Sequence, residues 1–302
     1  MPNPIRSLYD LMPRQARVRV KSLFPKQTLR WYAHRNVDVY LISYPKCGRT
    51  WLRLMIGRAI SYHFHLPESE DILFLKSRAK LHPDVPTIAV VHDDRPMLKA
   101  PDELETSKKK FEHKKVILLV RDPRDVIVSS YFEMKKRSQI FGDNPYEQRD
   151  AHFDGSLSEF INRKQGGFDT ILRFYNIWAE NRNVPDGLLL VRYEDMKKDP
   201  QRELRKVLNF IDLEEISDEV ISEAVAYASF ENMRKLEEKG QFESGMLIPA
   251  DKGDPDSYKT RKGKVGGYQE YLSPHEINIL NSKMDTTLSD FFGYKSSATT
   301  GN

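Results

Sequence analysis

The chain has 302 residues, a net charge of +4, 39% hydrophobic and 30% charged residues. This supplies apolar material for one or two domain-sized cores and excludes a disordered, collagenous or low-complexity chain. The longest run free of Asp, Glu, Lys and Arg is the nine residues 59–67, against the ~20 that span a bilayer, so no transmembrane segment is expected.

Residues 1–36 carry eight Lys or Arg against Asp10 alone, a net +7. This basic N-terminal arm lacks the apolar stretch of a secretory signal, and the plain expectation is an arm lying on its own domain. Residues 37–44 (VDVYLISY) are β-rich and stop at Pro45; residues 50–64 follow with Trp51, Leu54, Met55 and Ala59 at helical spacing. Residues 87–92 (TIAVVH), 116–120 (VILLV) and 187–193 (GLLLVRY) are short apolar runs of the kind buried parallel strands use. Helices are expected from Pro123, where a proline suits the first turn, and over 168–182, 200–211, 217–227 and 274–292. The alternation predicts an α/β fold, one domain over 37–294 with a central parallel sheet flanked by helices, and a frayed tail at 295–302. Residues 236–272 lack periodicity and read as a long loop, a candidate lid or binding element.

Three stretches carry chemistry. The first is the strand–turn–helix junction YPKCGRTW, residues 44–51. A helix N-terminus offers unpaired N–H groups and a positive dipole end, and a glycine turn lets them close around an anion. Lys46 adds a cation and Thr50 a hydroxyl. Gly48 follows the lysine instead of preceding it, so this is not a Walker A loop. The second is RDPRDVIVSS, residues 121–130, at another strand end. Arg121 and Ser129 are placed to grip one phosphate, while an ordinary salt bridge from Arg121 to Asp125 or Asp122 remains open. The third is Arg261-Lys262-Gly263-Lys264, with Gly266 and Gly267 just beyond. It reads as a phosphate clamp or as a solvated basic turn.

Together and in this order, the three resemble the signature motifs of the PAPS-dependent sulfotransferases, over about residues 35–275. YPKCGRTW resembles their phosphosulfate loop YPKSGTTW. VRDPRDVIVSSYF is similar to their 3′-phosphate motif, and RKGKVGGYQEYL resembles their RKGxxGDWKNxFT motif. The resemblance implies a P-loop-like α/β fold that binds 3′-phosphoadenosine 5′-phosphosulfate (PAPS), with adenosine 3′,5′-bisphosphate (PAP) as product and no metal. It places Lys46, Cys47, Gly48, Arg49 and Thr50 on the 5′-phosphosulfate loop and Trp51 against the adenine. Arg121 and Ser129 fall on the 3′-phosphate pair, completed by Arg261, Lys262 and Gly263. Tyr193 of VRYEDM matches a strand-end tyrosine near the nucleotide, and Phe230 of ASFENM an aromatic on the adenine's other face.

His92 matches the family's catalytic base, and a strand-end imidazole suits proton removal from a hydroxyl. Its setting, Val-His-Asp-Asp, departs from the family's Thr-His-Leu-Pro. Residues 50–64 contain no Asp or Glu to serve as the carboxylate base of some carbohydrate-directed relatives; His63 and His65 are rivals only if the alignment slips. Cys47, Arg49, Ala228, Gly267 and Tyr268 also depart from the family pattern. So do Gln269, Ser273, Pro274 and Asn278, which remove the dimerisation signature of animal cytosolic members, so that dimer is not expected. The implied partner is a small-molecule acceptor, not a nucleic acid. Asp93 and Asp94 beside the base, with six acids and three lysines over residues 237–259, suggest a cationic acceptor. The single Cys47 excludes an internal disulfide and fits a reducing, cytoplasmic setting. Two other classes stay open: a P-loop phosphotransferase using ATP and Mg²⁺, and a non-catalytic module that binds an anionic polymer.

Overall fold

A computed structural model describes residues 36–67, 71–137, 152–242 and 247–295. The basic arm up to residue 35 and the tail from residue 296 lie outside the described residues.

Four strands, β1 Val39–Ser43, β2 Ile88–Val91, β3 Lys115–Val120 and β4 Gly187–Arg192, form one parallel sheet in the order β2-β1-β3-β4. Leu41 pairs with Val90 on one side and with Ile117 on the other, and Leu118 pairs with Leu190. All five residues of β1 are buried. A strand covered on both faces needs no polar alternation, which is why VYLIS reads as a continuous apolar run.

Among the described residues the helices in chain order are α1 Arg49–His63, α2 Leu75–Arg78, α3 Pro123–Lys136, α4 Leu157–Asn162, α5 Phe168–Glu180, α6 Tyr193–Lys198, α7 Pro200–Phe210, α8 Asp218–Tyr227, α9 Phe230–Lys239 and α10 Pro274–Thr287. Their starts follow local chemistry. Asp122 caps α3 by accepting from the N–H of Arg124 at 2.9 Å, with Pro123 at the first position. Ser273 and Glu276 form a capping box on α10. The expected helix over 274–292 breaks at Leu288, which is extended, and resumes as a 3₁₀ turn at Asp290–Phe292.

The expected loop over 236–272 is a partial miss. Its first residues belong to α9, which Ser229 caps and Gly240 ends at φ 62°. That helix buries only Met233, Leu236 and Glu237, a stripe too thin to stand out among charged neighbours. Residues 243–246 lie outside the described residues, and the described remainder holds two 3₁₀ turns, Pro255–Ser257 and Gly267–Glu270.

The chain leaves β1 toward β2 on one side, whereas β3 lies on the other and leads to β4. The connections from β1 and β3 therefore diverge. A crevice opens at their carboxyl ends, the usual ligand position of an open α/β sheet. YPKCGRTW leaves β1 there, and Arg121 leaves β3.

Candidate active site

The turn between β1 and α1 is built from two left-handed residues, Lys46 at φ 71° and Gly48 at φ 93°. A Cβ on Gly48 would stand 2.6 Å from the Tyr193 ring, so only glycine lets the turn pass that close. Gly48 is the N-cap of α1 and no side chain caps the helix; the Trp51 N–H turns back to the Gly48 carbonyl at 3.0 Å, which leaves the Arg49 and Thr50 N–H groups at the crevice opening.

A cavity of about 510 Å³ lies over this turn. Lys46, Gly48, Arg49, Thr50, Trp51 and His92 line it from the β1 and β2 side. Arg121 and Ser129 line it from β3 and α3, and Tyr193, Phe230, Arg261, Lys262 and Gly263 complete it. Thirteen of the expected residues are thus brought together.

The other three expected residues are not. The Cys47 side chain is fully buried, off the cavity, with Sγ 3.4 Å from the Tyr175 hydroxyl. Burial pushes its thiol up to about 12, so it is a neutral core group and only its backbone belongs to the loop. Asp93 is ion-paired with Lys108 at 2.7 Å and Lys110 at 2.5 Å, its carboxylate without exposure. Asp94 pairs with Lys99 and accepts from the Glu105 N–H at 2.6 Å. Neither aspartate lines the cavity. They hold a turn in which Asp93, Asp94 and Arg95 all have positive φ, 48°, 67° and 50°. Their sequence position beside the histidine suggested an acceptor contact; their chemistry is that of a brace.

His92 sits at the end of β2. Its Nδ1–H donates to the Ser43 carbonyl at 3.0 Å, so Nε2 carries the lone pair. Arg49 Nη2 donates to that atom at 2.6 Å. Burial first, and then the Arg49 guanidinium, lower the His92 pKa well below 6.5. The imidazole is neutral and basic in tautomer, with its proton site covered by Arg49.

Lys46 Nζ is 2.5 Å from the Glu133 carboxylate of α3. Burial lowers the lysine pKa against the pull of Glu133. Burial alone would raise the Glu133 carboxyl, but Lys46, then Lys259 and Arg137, outweigh it and hold it at about 2.

Arg121 answers both sequence readings at once. It pairs with Asp125 at 3.3 Å and also faces the cavity, with its guanidinium 4.3 Å from the Tyr193 ring centre. Two organising contacts go beyond the sequence expectation, one made by Asp125, expected only as a salt-bridge partner of Arg121, and one by Tyr175. Asp125 accepts from the N–H groups of Gly266 at 2.9 Å and Tyr268 at 3.0 Å, tying the third motif to α3. The Tyr175 hydroxyl accepts from the Arg121 N–H at 3.0 Å and donates to the Arg121 carbonyl at 2.7 Å, so the Cys47 thiol donates to it. Tyr175 joins the ends of β1 and β3 from a helix that carries no motif. In the third motif, Arg261 bonds the Tyr271 hydroxyl at 2.5 Å and lies 4.1 Å from the Phe132 ring centre. Lys262 and Lys264 share Glu270.

The family profile described as "Sulfotransferase domain" matches residues 36–292. The chain belongs to the sulfotransferase family. Its relatives include cytosolic sulfotransferase 12 of Arabidopsis thaliana, 26% identical over 85% of this chain and 78% of that protein. A flavonol 3-sulfotransferase of Flaveria bidentis is 25% identical over 88% and 85%. An amine sulfotransferase of Oryctolagus cuniculus is 24% identical over 85% and 82%. In fold, this sulfotransferase is similar to a mouse sulfotransferase crystallised with PAP, at TM-score 0.52 and 24% identity over 83% of this chain and 86% of that one. It is also similar to a retinol dehydratase crystallised with androsterone and PAP, at TM-score 0.58 and 16% identity over 84% and 81%. No helix among the described residues is long and apolar enough to cross a membrane.

Proposed function

We propose that this sulfotransferase moves the sulfuryl group of PAPS to a hydroxyl or amine of a small-molecule acceptor and releases PAP, with His92 as general base. The observation that carries this reading is the meeting of three stretches distant in sequence around one cavity with a neutral imidazole in its wall.

The residues fit such a donor. Lys46 and the uncapped N–H groups of α1 suit the 5′-phosphosulfate. Arg121 and Ser129, with Arg261, Lys262 and Gly263, suit the 3′-phosphate. Arg121 Nε is a buried donor without a hydrogen-bond partner, and charged donors left unmade are costly until an anion arrives. Trp51 and Phe230 suit the two faces of the adenine, where stacking contributes ~1–3 kcal/mol. A Cβ on Gly263 would lie 2.7 Å from the Phe230 ring, so glycine keeps that slot open.

PAPS, when bound, supplies the sulfuryl group. His92 Nε2 takes the proton of the attacking oxygen as the O–S bond forms and the bond from sulfur to the 5′-phosphate oxygen breaks. Lys46 and the α1 N–H groups hold the charge that grows on that oxygen, stabilisation placed where charge develops. Ser43, through its carbonyl, fixes the tautomer that makes His92 a base. Arg49 turns away from Nε2 for the acceptor to enter.

Calorimetry with PAP and a radiolabelled PAPS transfer screen over phenols, alcohols, amines and glycans test this. The expected result is PAP binding by wild type and by His92→Ala, with transfer falling roughly 10²–10⁴-fold in the variant. Undiminished transfer rejects the base; no binding of PAP rejects the function.

A further inference from the structure

The half of the cavity around His92 is strongly cationic, and its charge is unevenly compensated. Arg49 and Lys259 both line it, beside the apolar side chains of Met97 and Leu98. Glu133, a carboxylate in this half, is paired with Lys46 at 2.5 Å and Arg137 at 3.2 Å, and Lys259 feels it only at longer range. Arg137 in turn is held by Glu237 at 3.4 Å and the Ser257 carbonyl. Among the described residues Lys259 is tied through its backbone N–H, which donates to Glu237 at 2.5 Å. Its ammonium has no ion-pair partner among the described residues. Arg49 donates to the His92 lone pair, and its Nη1 is buried without a hydrogen-bond partner. Burial pushes Arg49 down to about 9 and Lys259 to about 7. Both therefore stand in a place that gains from an added negative charge.

Arg49 belongs to the expected phosphosulfate loop, but its guanidinium is engaged with His92 Nε2, and Lys259 lies outside the three motifs. Lys46, Arg121, Arg261 and Lys262 already face the phosphate positions. We propose that the acceptor carries an anionic group, a carboxylate or its equivalent, on an apolar frame beside the hydroxyl that is sulfated, and that Arg49 and Lys259 seat this group. The proposal rests on His92 being the base, because that assignment makes this half of the cavity the acceptor's. It reverses the cationic acceptor suggested by Asp93 and Asp94, whose charge is spent on lysines inside the fold. An anion between Arg49 and Lys259 also draws Arg49 off Nε2, so the acceptor that fits the pocket is the one that uncovers the base.

The test is binding to the full-length enzyme loaded with PAP, read by calorimetry. The probes are para-hydroxyphenylacetate, its primary amide and tyramine, and an ω-hydroxy fatty acid with its primary amide. Each carboxylate is expected to bind roughly ten- to a hundredfold tighter than its amide, the range of a buried charge-assisted hydrogen bond, and tyramine weakest of all. Lys259→Met and Lys259→Gln should narrow the gap between carboxylate and amide to about twofold or less while PAP affinity holds. Equal binding of carboxylate and amide by wild type overturns the proposal, as does no binding of either carboxylate. Loss of PAP affinity in both Lys259 variants also overturns it, because Lys259 would then serve the donor. Failure of wild type to bind PAP at all is a different outcome, and it removes the function proposed above.

Discussion

Arg49 Nη2 lies 2.6 Å from His92 Nε2, so a guanidinium caps the lone pair that a base must use. The pair depends on one departure from the resembling loop, an arginine where the motif has threonine, and on a histidine at the end of β2 held neutral by burial. Arg49 disfavours the imidazolium electrostatically, which keeps His92 deprotonated at lower pH than an ordinary histidine.

Replacing Arg49 by threonine should therefore move the acid limb of the pH profile. Without the neighbouring cation the His92 pKa rises toward 6.5, and the fall in kcat/KM on acidification begins at higher pH than in wild type. A pH–rate series on wild type and Arg49→Thr reads this directly. An acid limb that stays put, or moves to lower pH, counts against the coupling.

The Lys46–Glu133 pair makes a prediction of opposite signs for stability and donor affinity. Glu133→Gln leaves Lys46 in a buried cationic cluster, and removing one partner of a buried pair typically costs ~3–5 kcal/mol. The same change removes a carboxylate that competes with the incoming phosphosulfate for Lys46. The expected outcome is a lower thermal midpoint without ligand and PAP affinity raised about tenfold, near 1.4 kcal/mol. Thermal unfolding with and without PAP, together with calorimetry, checks both. Weaker PAP binding would show that Glu133 orients Lys46 rather than withholding it.

Gly263 has φ 58° and no room for a Cβ beside Phe230. Gly263→Ala should close the adenine slot or distort the third motif, costing PAP affinity roughly tenfold or more, since a strained left-handed residue costs ~1–3 kcal/mol. Transfer measured at saturating PAPS should suffer less. Unchanged PAP affinity would place the adenine elsewhere.

Asp93 separates bracing from recognition. Asp93→Asn uncouples Lys108, which is 2% exposed, and Lys110, and the thermal midpoint should fall by several degrees, as loss of a buried ion pair does. The order in which acceptors are preferred should not change in the protein that remains folded. A reordered acceptor profile would return Asp93 to the acceptor site.

The sheet and the three cavity-lining motifs were legible because each depends on local pattern. Buried parallel strands are short apolar runs, so 37–44 and 116–120 announced β1 and β3 within two residues of their ends. The crevice residues Lys46, Arg121 and Arg261 stand at strand ends or beside glycines, where sequence marks them. Within one short stretch of sequence charge pairing was legible, as Arg121 with Asp125 shows; between elements it was not. Asp93 and Lys108, or Lys46 and Glu133, become neighbours only when separate elements pack, and no spacing encodes that. Tyr175 was missed for the same reason, since it reads as one more core aromatic of an amphipathic helix until its hydroxyl is seen on Arg121. Lys259 was counted among the charges of a loop. Its meaning comes from facing the cavity, which a linear reading could not supply.

The chain's one thiol, on Cys47, is packed under the first motif and held protonated. Alkylating reagents should therefore reach it only if the packing around the β1–α1 turn opens, so its labelling rate should act as a built-in clock for that opening. Any small molecule that clamps the turn shut should slow the clock, so a cysteine with no part in the chemistry can report on occupancy of the neighbouring cleft.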